Sequence, residues 1–156
     1  MESTFDLFSI GIGPSSSHTI GPMKAGFEFV NLFSEYLETT SRIKIDLYGS
    51  LALTGIGHKT DYASILGVMG NLPESIDIDK AKADYKHCLD ANVMSLNNQK
   101  SISFDYDQDL VFHFNEFLPE HPNGMIFSLY AEDGSLMCSK KYFSIAEVSV
   151  ISRLPT

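Results

Sequence analysis

One stretch limits what this chain can become: Ser9-Ile10-Gly11-Ile12-Gly13-Pro14-Ser15-Ser16-Ser17-His18-Thr19-Ile20-Gly21-Pro22. It holds three glycines, two prolines, four serines, a threonine and a histidine, and no carboxylate. No ordinary core segment needs that composition. Glycine and proline fix unusual backbone angles, so the stretch reads as a tight loop after a short apolar strand and before a long helix. Its hydroxyls and free amides would face the start of that helix. Helix N-termini carry unpaired N–H groups and partial positive charge, which suits a carboxylate or phosphate. His18 adds a group that titrates near neutral pH. The plainer reading is a helix cap, with Thr19 or Ser17 as N-cap. It accounts for a single serine better than for the whole run.

Beyond the loop, Met23, Phe27, Val30, Phe33 and Leu37 recur at helical spacing and predict a helix over roughly 21–39. Residues 42–48 alternate, with Ile43, Ile45 and Leu47 on one face of a half-buried strand. A second glycine-rich passage, 49–61, runs into a helix from about Asp61 to Met69, ended by Gly70-Asn71-Leu72-Pro73. Residues 79–91 read as a polar surface helix, and from about 93 onward the pattern is that of strands. Two hairpins are expected. The first joins 101–106 to 110–115 through Asp107-Gln108-Asp109; the second joins Met125–Ala131 to Ser135–Phe143 through Glu132-Asp133-Gly134. Between them, Leu118-Pro119-Glu120-His121-Pro122-Asn123-Gly124 reads as a rigid polar loop, and a turn alone does not explain His121. The predicted fold class is α/β (α+β): one small domain, with helices packed on a mixed, largely antiparallel sheet.

Charge and cysteine content narrow the function. The net charge is −9, which opposes nucleic acid or an anionic membrane as main partner. A hydrophobic content of 44% over 156 residues supports one domain with a sizeable core. Cys88 and Cys138 lack metal-site spacing, and two thiols cannot alone hold the usual iron–sulfur cluster. The acidic start does not read as a secretory leader and no apolar run matches a membrane span, so a cytoplasmic protein is the default expectation.

Several motifs fail on inspection. Gly11-Ile12-Gly13 lacks the third glycine and the acidic partner of a dinucleotide fingerprint. Gly57-His58-Lys59-Thr60 places a histidine where a P-loop needs lysine directly after glycine. Ser17-His18 has no nucleophile elbow around it. Of the five histidines, His87 falls on a polar helix and reads as solvated. His113 alternates in a strand opposite Phe112 and Phe114 and reads as structural. His18, His58 and His121 each fall in a loop rich in glycine, proline or serine. If those loops meet, they supply acids, bases and donors around one polar pocket.

These residues resemble a known family. The 9–23 stretch closely resembles the opening of the iron–sulfur-dependent bacterial L-serine dehydratases (L-serine ammonia-lyases). Gly49-Ser50-Leu51-Ala52 with Thr54-Gly55-Ile56-Gly57-His58-Lys59-Thr60-Asp61 resembles their second block, and His121-Pro122-Asn123-Gly124-Met125 their third. The match looks like the β domain, or β chain. The resemblance implies conversion of L-serine to pyruvate and ammonia without pyridoxal phosphate. It implies a [4Fe–4S] cluster in a separate α domain absent from this chain, with one iron acting as Lewis acid on the leaving hydroxyl. It also implies a fold similar to the allosteric substrate-binding domain of phosphoglycerate dehydrogenases.

On that reading His58 or His121, with His18 as third candidate, removes the Cα proton. Ser15, Ser16, Ser17 and Thr19 offer donors to the substrate carboxylate, and Ser50 and Asn123 are the polar members of the other blocks. Lys59 pairs with a carboxylate, and Asp61 either orients a histidine or caps its helix, the cap being the simpler role. No metal ligand is expected in this chain, which alone would be inactive. Expected partners are the α domain, L-serine and a possible second copy. The family pattern covers 1–145, and 146–156 read as a tail that departs from it. Two rival readings are a non-catalytic regulatory module binding a small anion or amino acid, and a stand-alone Ser/His hydrolase.

Overall fold

A computed structural model describes residues 16–53, 60–120, 123–144 and 150–153, with side chains described except at 16–19, 53, 144 and 150–153. Helix α1 spans Ser16–Leu32 and a 3-10 segment Ser34–Thr39 leads into strand β1, Thr40–Tyr48. Then come α2 (Ser50–Leu53), α3 (Thr60–Val68) and α4 (Ile78–Ala91). Strands β2 (Val93–Leu96) and β3 (Lys100–Ser103) follow, then α5 (Tyr106–Asp109), β4 (Leu110–His113), β5 (Gly124–Ala131), β6 (Leu136–Ser144) and β7 (Val150–Arg153).

The main sheet runs β4-β1-β5-β6-β7, with β4 parallel to β1 and every other pair antiparallel. This is the mixed, largely antiparallel sheet that the alternating segments predict. Its inner face carries Ile43, Ile45, Leu47, Phe127 and Leu129, all fully buried, and α1 covers it with Ala25, Phe29 and Val30. Phe29 stacks on Phe127 with ring centroids 5.5 Å apart. Helix α3 packs on α1 so closely that glycine is needed on both sides. A Cβ at Gly67 would lie 2.3 Å from the Met23 carbonyl oxygen, and one at Gly26 would lie 3.0 Å from the Ser64 carbonyl oxygen.

Three expectations need correction. The first helix begins at Ser16, inside the stretch read as loop, and ends at Leu32 rather than 39. The apolar stripe extends backward through the fully buried Ile20, and Pro22 sits within the helix, offering no amide to the carbonyl four residues earlier. Ser17 and Thr19 are therefore not N-caps. Beyond Leu32 the chain tightens into the 3-10 segment, which keeps Leu37 buried.

The third correction concerns the hairpin expected between 101–106 and 110–115. Strand β3 instead pairs with β2 in a separate two-stranded sheet, while β4 joins β1. Aspartates dictate this. Asp105 caps α5 by accepting from the Asp107 amide, and Asp109 Oδ2 accepts from the Asp105 amide at 2.8 Å. The acid-rich segment thus closes into one helical turn that carries the chain from the small sheet to the large one.

Other local expectations hold among the described residues, while the short strand expected before the serine-rich loop lies outside them. Helix α3 stops at Gly70 (φ 103°), whose amide donates to Gly67, while the Asn71 amide donates to Leu66. Helix α4 is capped by Asp77 and ended by Asn92 at φ 54°. The β5–β6 hairpin turns at Gly134 (φ 88°). No helix among the described residues is long and apolar enough to cross a membrane.

Candidate functional site

The direction of the helices decides where the candidate residues go. Asn97, in the β2–β3 turn, donates its amide to Val68 at 2.8 Å, and its side chain donates to Asn31 at 3.2 Å. The last turns of α1 and α3 therefore meet at one residue, and the two helices point their first turns the same way. From the 3-10 segment after α1, Tyr36 accepts the Thr40 hydroxyl at 2.8 Å, which puts the C-terminal side of α1 beside the start of β1. The first turns of α1 and α3 thus face the far end of the sheet. There β1 and β4 finish side by side (Tyr48 opposite His113) and β5 starts (Met125 opposite Leu47).

That end collects one part of each glycine-rich block. From the first come Ser16, Ser17, His18 and Thr19, all in the first turn of α1. From the second come Gly49, at φ 58°, then Ser50 at the start of α2, and Thr60 and Asp61 at the start of α3. From the third comes Asn123, half-buried directly before β5. The side chains of Ser16, Ser17, His18 and Thr19 lie outside the described residues, as do Ser15, His58, Lys59 and His121 entirely. The sheet end holds itself together through backbone: the Gly49 amide donates to Glu116 at 2.8 Å.

Asp61 is fully buried, one position inside α3 rather than at its cap. Its Oδ1 accepts from the Tyr62 amide at 2.8 Å, and its Oδ2 accepts the phenolic hydroxyl of Tyr106. A carboxylate in the first helical turn is favoured by the unpaired amides there, and Tyr106 repays part of its lost hydration. Sequence reasoning missed Tyr106. It lies 45 positions away, on the short α5 that replaced the expected hairpin turn. Next to Asp61, Thr60 is fully buried, and its hydroxyl has no hydrogen-bond partner among the described residues.

Two histidines occupy the places expected of them. His87 is exposed on α4. His113 is held on the outer face of the sheet, with Nε2 2.8 Å from Asp46 Oδ1 and Nδ1 3.3 Å from Glu116 Oε1. Its ring stacks on Tyr48 with centroids 4.2 Å apart. Burial, with the nearby charges of Asp46 and Glu116, raises the Tyr48 phenol above its ordinary value. His113 thus braces the rim by joining β1, β4 and the loop after β4.

No three His, Cys, Asp or Glu side chains converge as a metal site among the described residues. The cysteines do not suit a cluster either. Cys88 in α4 and Cys138 in β6 are both buried free thiols. Burial pushes the Cys88 thiol up to about 11, and burial followed by the charge of Glu35 raises that of Cys138. Iron binds the thiolate, so neutral buried thiols on separate elements are unsuitable ligands. A groove of about 640 Å³ opens elsewhere, lined among others by Glu38, Thr40, Lys100, Ala131 and Asp133. It lies at the end where β1 begins and contains none of the candidate residues.

Comparison with known proteins decides the family. The family model described as serine dehydratase beta chain matches residues 3–153. The chain belongs to the serine dehydratase beta chain family. It is 42% identical over 148 residues to an L-serine dehydratase of Haemophilus influenzae, with 93% of this chain and 32% of that protein covered. It is 44% identical over 148 residues to L-serine dehydratase 2 of Escherichia coli, with the same coverage. With an L-serine dehydratase of Streptomyces coelicolor it shares 41% identity over 145 residues, covering 92% of this chain and 32% of that one. The chain thus spans about a third of the length of these relatives. The family match reaches residue 153 and so takes in β7, which pairs with β6 from Ser144↔Val150 to Lys141↔Arg153.

Proposed function

We propose that this chain is the β part of an L-serine dehydratase and that the sheet end where β1 and β4 finish closes over L-serine held against the remainder of the enzyme. One observation supports it best: parts of three glycine-rich blocks, distant in sequence, meet at that end. The relatives' names supply the substrate, and their length supplies the partner, since two thirds of each lies beyond what this chain covers.

The chemistry asks three things of the site. The substrate carboxylate needs donors, offered by the first turn of α1 and its Ser16, Ser17 and Thr19, with Ser15 before it and Ser50 and Asn123 nearby. Lys59 supplies a positive charge to a carboxylate. The Cα proton is weakly acidic and needs a positioned base, a role for which His58 and His121 come first and His18 third. Its removal, with loss of the β-hydroxyl as water, leaves 2-aminoacrylate. That product tautomerises to an imine, and water splits it to pyruvate and ammonia. Asp61, buried and held by Tyr106, fixes the start of α3 directly after His58 and Lys59. On this reading an iron–sulfur cluster held by the other part of the enzyme would assist the leaving hydroxyl.

The test is reconstitution. The chain is mixed anaerobically with the cluster-loaded α domain from the same source, and pyruvate formed from L-serine is measured. Pyruvate appears only with both parts present. Alanine at the true base, tried at His58, His121 and His18 in turn, lowers turnover about 10²- to 10⁴-fold with cluster content unchanged. If no pyruvate forms while the isolated chain binds serine or phosphate, the regulatory reading takes over. Activated-ester hydrolysis by the chain alone, lost in Ser17→Ala, would instead favour the hydrolase.

A further inference from the structure

Five large apolar side chains are conspicuously exposed among the described residues, and they divide between the two ends of the sheet. Leu32, Tyr36 and Leu136 belong to the end where β1 begins. Phe114 and Phe117, 40% and 58% exposed, belong to the loop that leaves β4 at the candidate-site end. An exposed phenylalanine is unremarkable singly. Two within four residues, beside a polar site, need an explanation.

The loop that carries them is firmly held. Glu116 accepts the Gly49 amide at 2.8 Å through its carbonyl and faces His113 through its carboxylate. Lys141 pairs with Glu120 at 3.1 Å, each side chain only about a fifth exposed. Leu118 fills the space that a Cβ at Gly124 would need, its Cδ1 standing 2.6 Å from that position. The Phe114 ring lies nearly parallel to that of Phe112, with centroids 5.8 Å apart. The chain therefore spends ion pairs, packing and backbone hydrogen bonds on fixing a loop whose two phenyl groups stay in water. Rigid aromatic anchors presented to solvent are what a binding surface needs, because their ordering is done before the partner arrives.

We propose that Phe114 and Phe117 form the apolar part of the surface on which the remaining two thirds of the dehydratase docks. This rests on the functional reading above. The committed occupant is that larger part, for two reasons. The relatives are about three times as long as the segment matched here. And whatever supplies the rest of the catalytic site must approach the end where the three blocks meet, which these two side chains border.

The experiment measures the dissociation constant between the full chain and the α domain from the same source, alongside pyruvate formation. Phe117→Ser weakens the complex at least tenfold and Phe114→Ser severalfold. Leu32→Ser and Leu136→Ser, at the other end, stay within twofold of the parent. All four side chains are exposed, so the melting temperatures stay close together. If Phe117→Ser and Phe114→Ser bind like the parent while pyruvate still forms, the surface is wrong and the functional reading stands. A complex that forms and weakens as stated but yields no pyruvate leaves the surface standing and removes the function. No complex with the parent chain overturns both. Sedimentation of the chain alone covers the other occupant: self-association abolished by Phe117→Ser, with α-domain binding intact, overturns the proposal in favour of a second copy.

Discussion

The two ends of the sheet are built on different plans. Where β1 begins, the chain turns tightly and locally: Asp133 accepts the amide and hydroxyl of Ser135, Gly134 takes a left-handed angle, and Thr40 bonds back to Tyr36. These turn contacts join residues within a few positions, and among the described residues only a few longer bonds, such as Lys100 Nζ to the Glu38 carbonyl and Asn97 to Asn31, tie them to other elements. Where β1 finishes, contacts join residues far apart. Asp61 meets Tyr106, Asp46 meets His113 and Gly49 meets Glu116. Local turns need little from the rest of the fold. A site assembled from remote segments needs all of it, because each segment is placed by a different element.

That contrast can be broken most severely at Gly67. In Gly67→Ala the new methyl meets the Met23 carbonyl oxygen and must push α1 and α3 apart. Overpacking of this kind costs about 1–3 kcal/mol. Thermal unfolding then shows a drop of roughly 2–4 °C per kcal/mol for a chain of this size. Because both helices aim their first turns at the candidate site, activity in the reconstituted enzyme falls further than stability alone explains. Equal losses in both would show that the helices serve only as core.

Tyr106→Phe is subtler. It deprives the buried Asp61 side chain of one donor, a loss of about 1.5–3 kcal/mol for a hydrogen bond to a carboxylate. A denaturant titration gives the cost. Lowered turnover with an unchanged KM places Tyr106 in positioning the start of α3, whereas a stability loss with normal kinetics makes it a strut and no more.

Gly134→Ala is the control from the opposite end. Nothing lies within 4 Å of the added methyl, but at φ 88° an alanine is strained. The expected loss is about 1 kcal/mol. Pyruvate formation should not change once the protein is folded, and a kinetic effect would erase the distinction between the ends.

The same division explains what could be read from the residues in order. Local signals were legible: Asp133-Gly134 as a hairpin turn, Gly70-Asn71 as a helix stop, and the alternation of Ile43, Ile45 and Leu47 as one buried face. Non-local choices were not. The alternation in 101–106 and 110–115 gave two strands, but only packing decides that one joins β2 and the other runs parallel to β1. The start of α1 was missed because serine, glycine and proline speak for a loop. The buried Ile20, which extends the stripe begun at Met23 and outweighs them, reveals its role only against Ala63 and Leu66. Of the site, the glycine-rich blocks stood out by composition. Tyr106 carried no signal at all.

Asn97 fastens the finishing turns of two helices to the same point, and levers fixed at one end magnify what happens there. Helix α1 starts at Ser16 and is held by Asn97 at Asn31, so its start stands roughly 22 Å from that fulcrum at 1.5 Å per residue. A one-degree tilt sweeps it through about 0.4 Å, when an error near 1 Å in a reacting geometry can slow a reaction about a hundredfold. A small asparagine turn, remote from any proposed chemistry, thereby sets the aim of the groups meant to perform it.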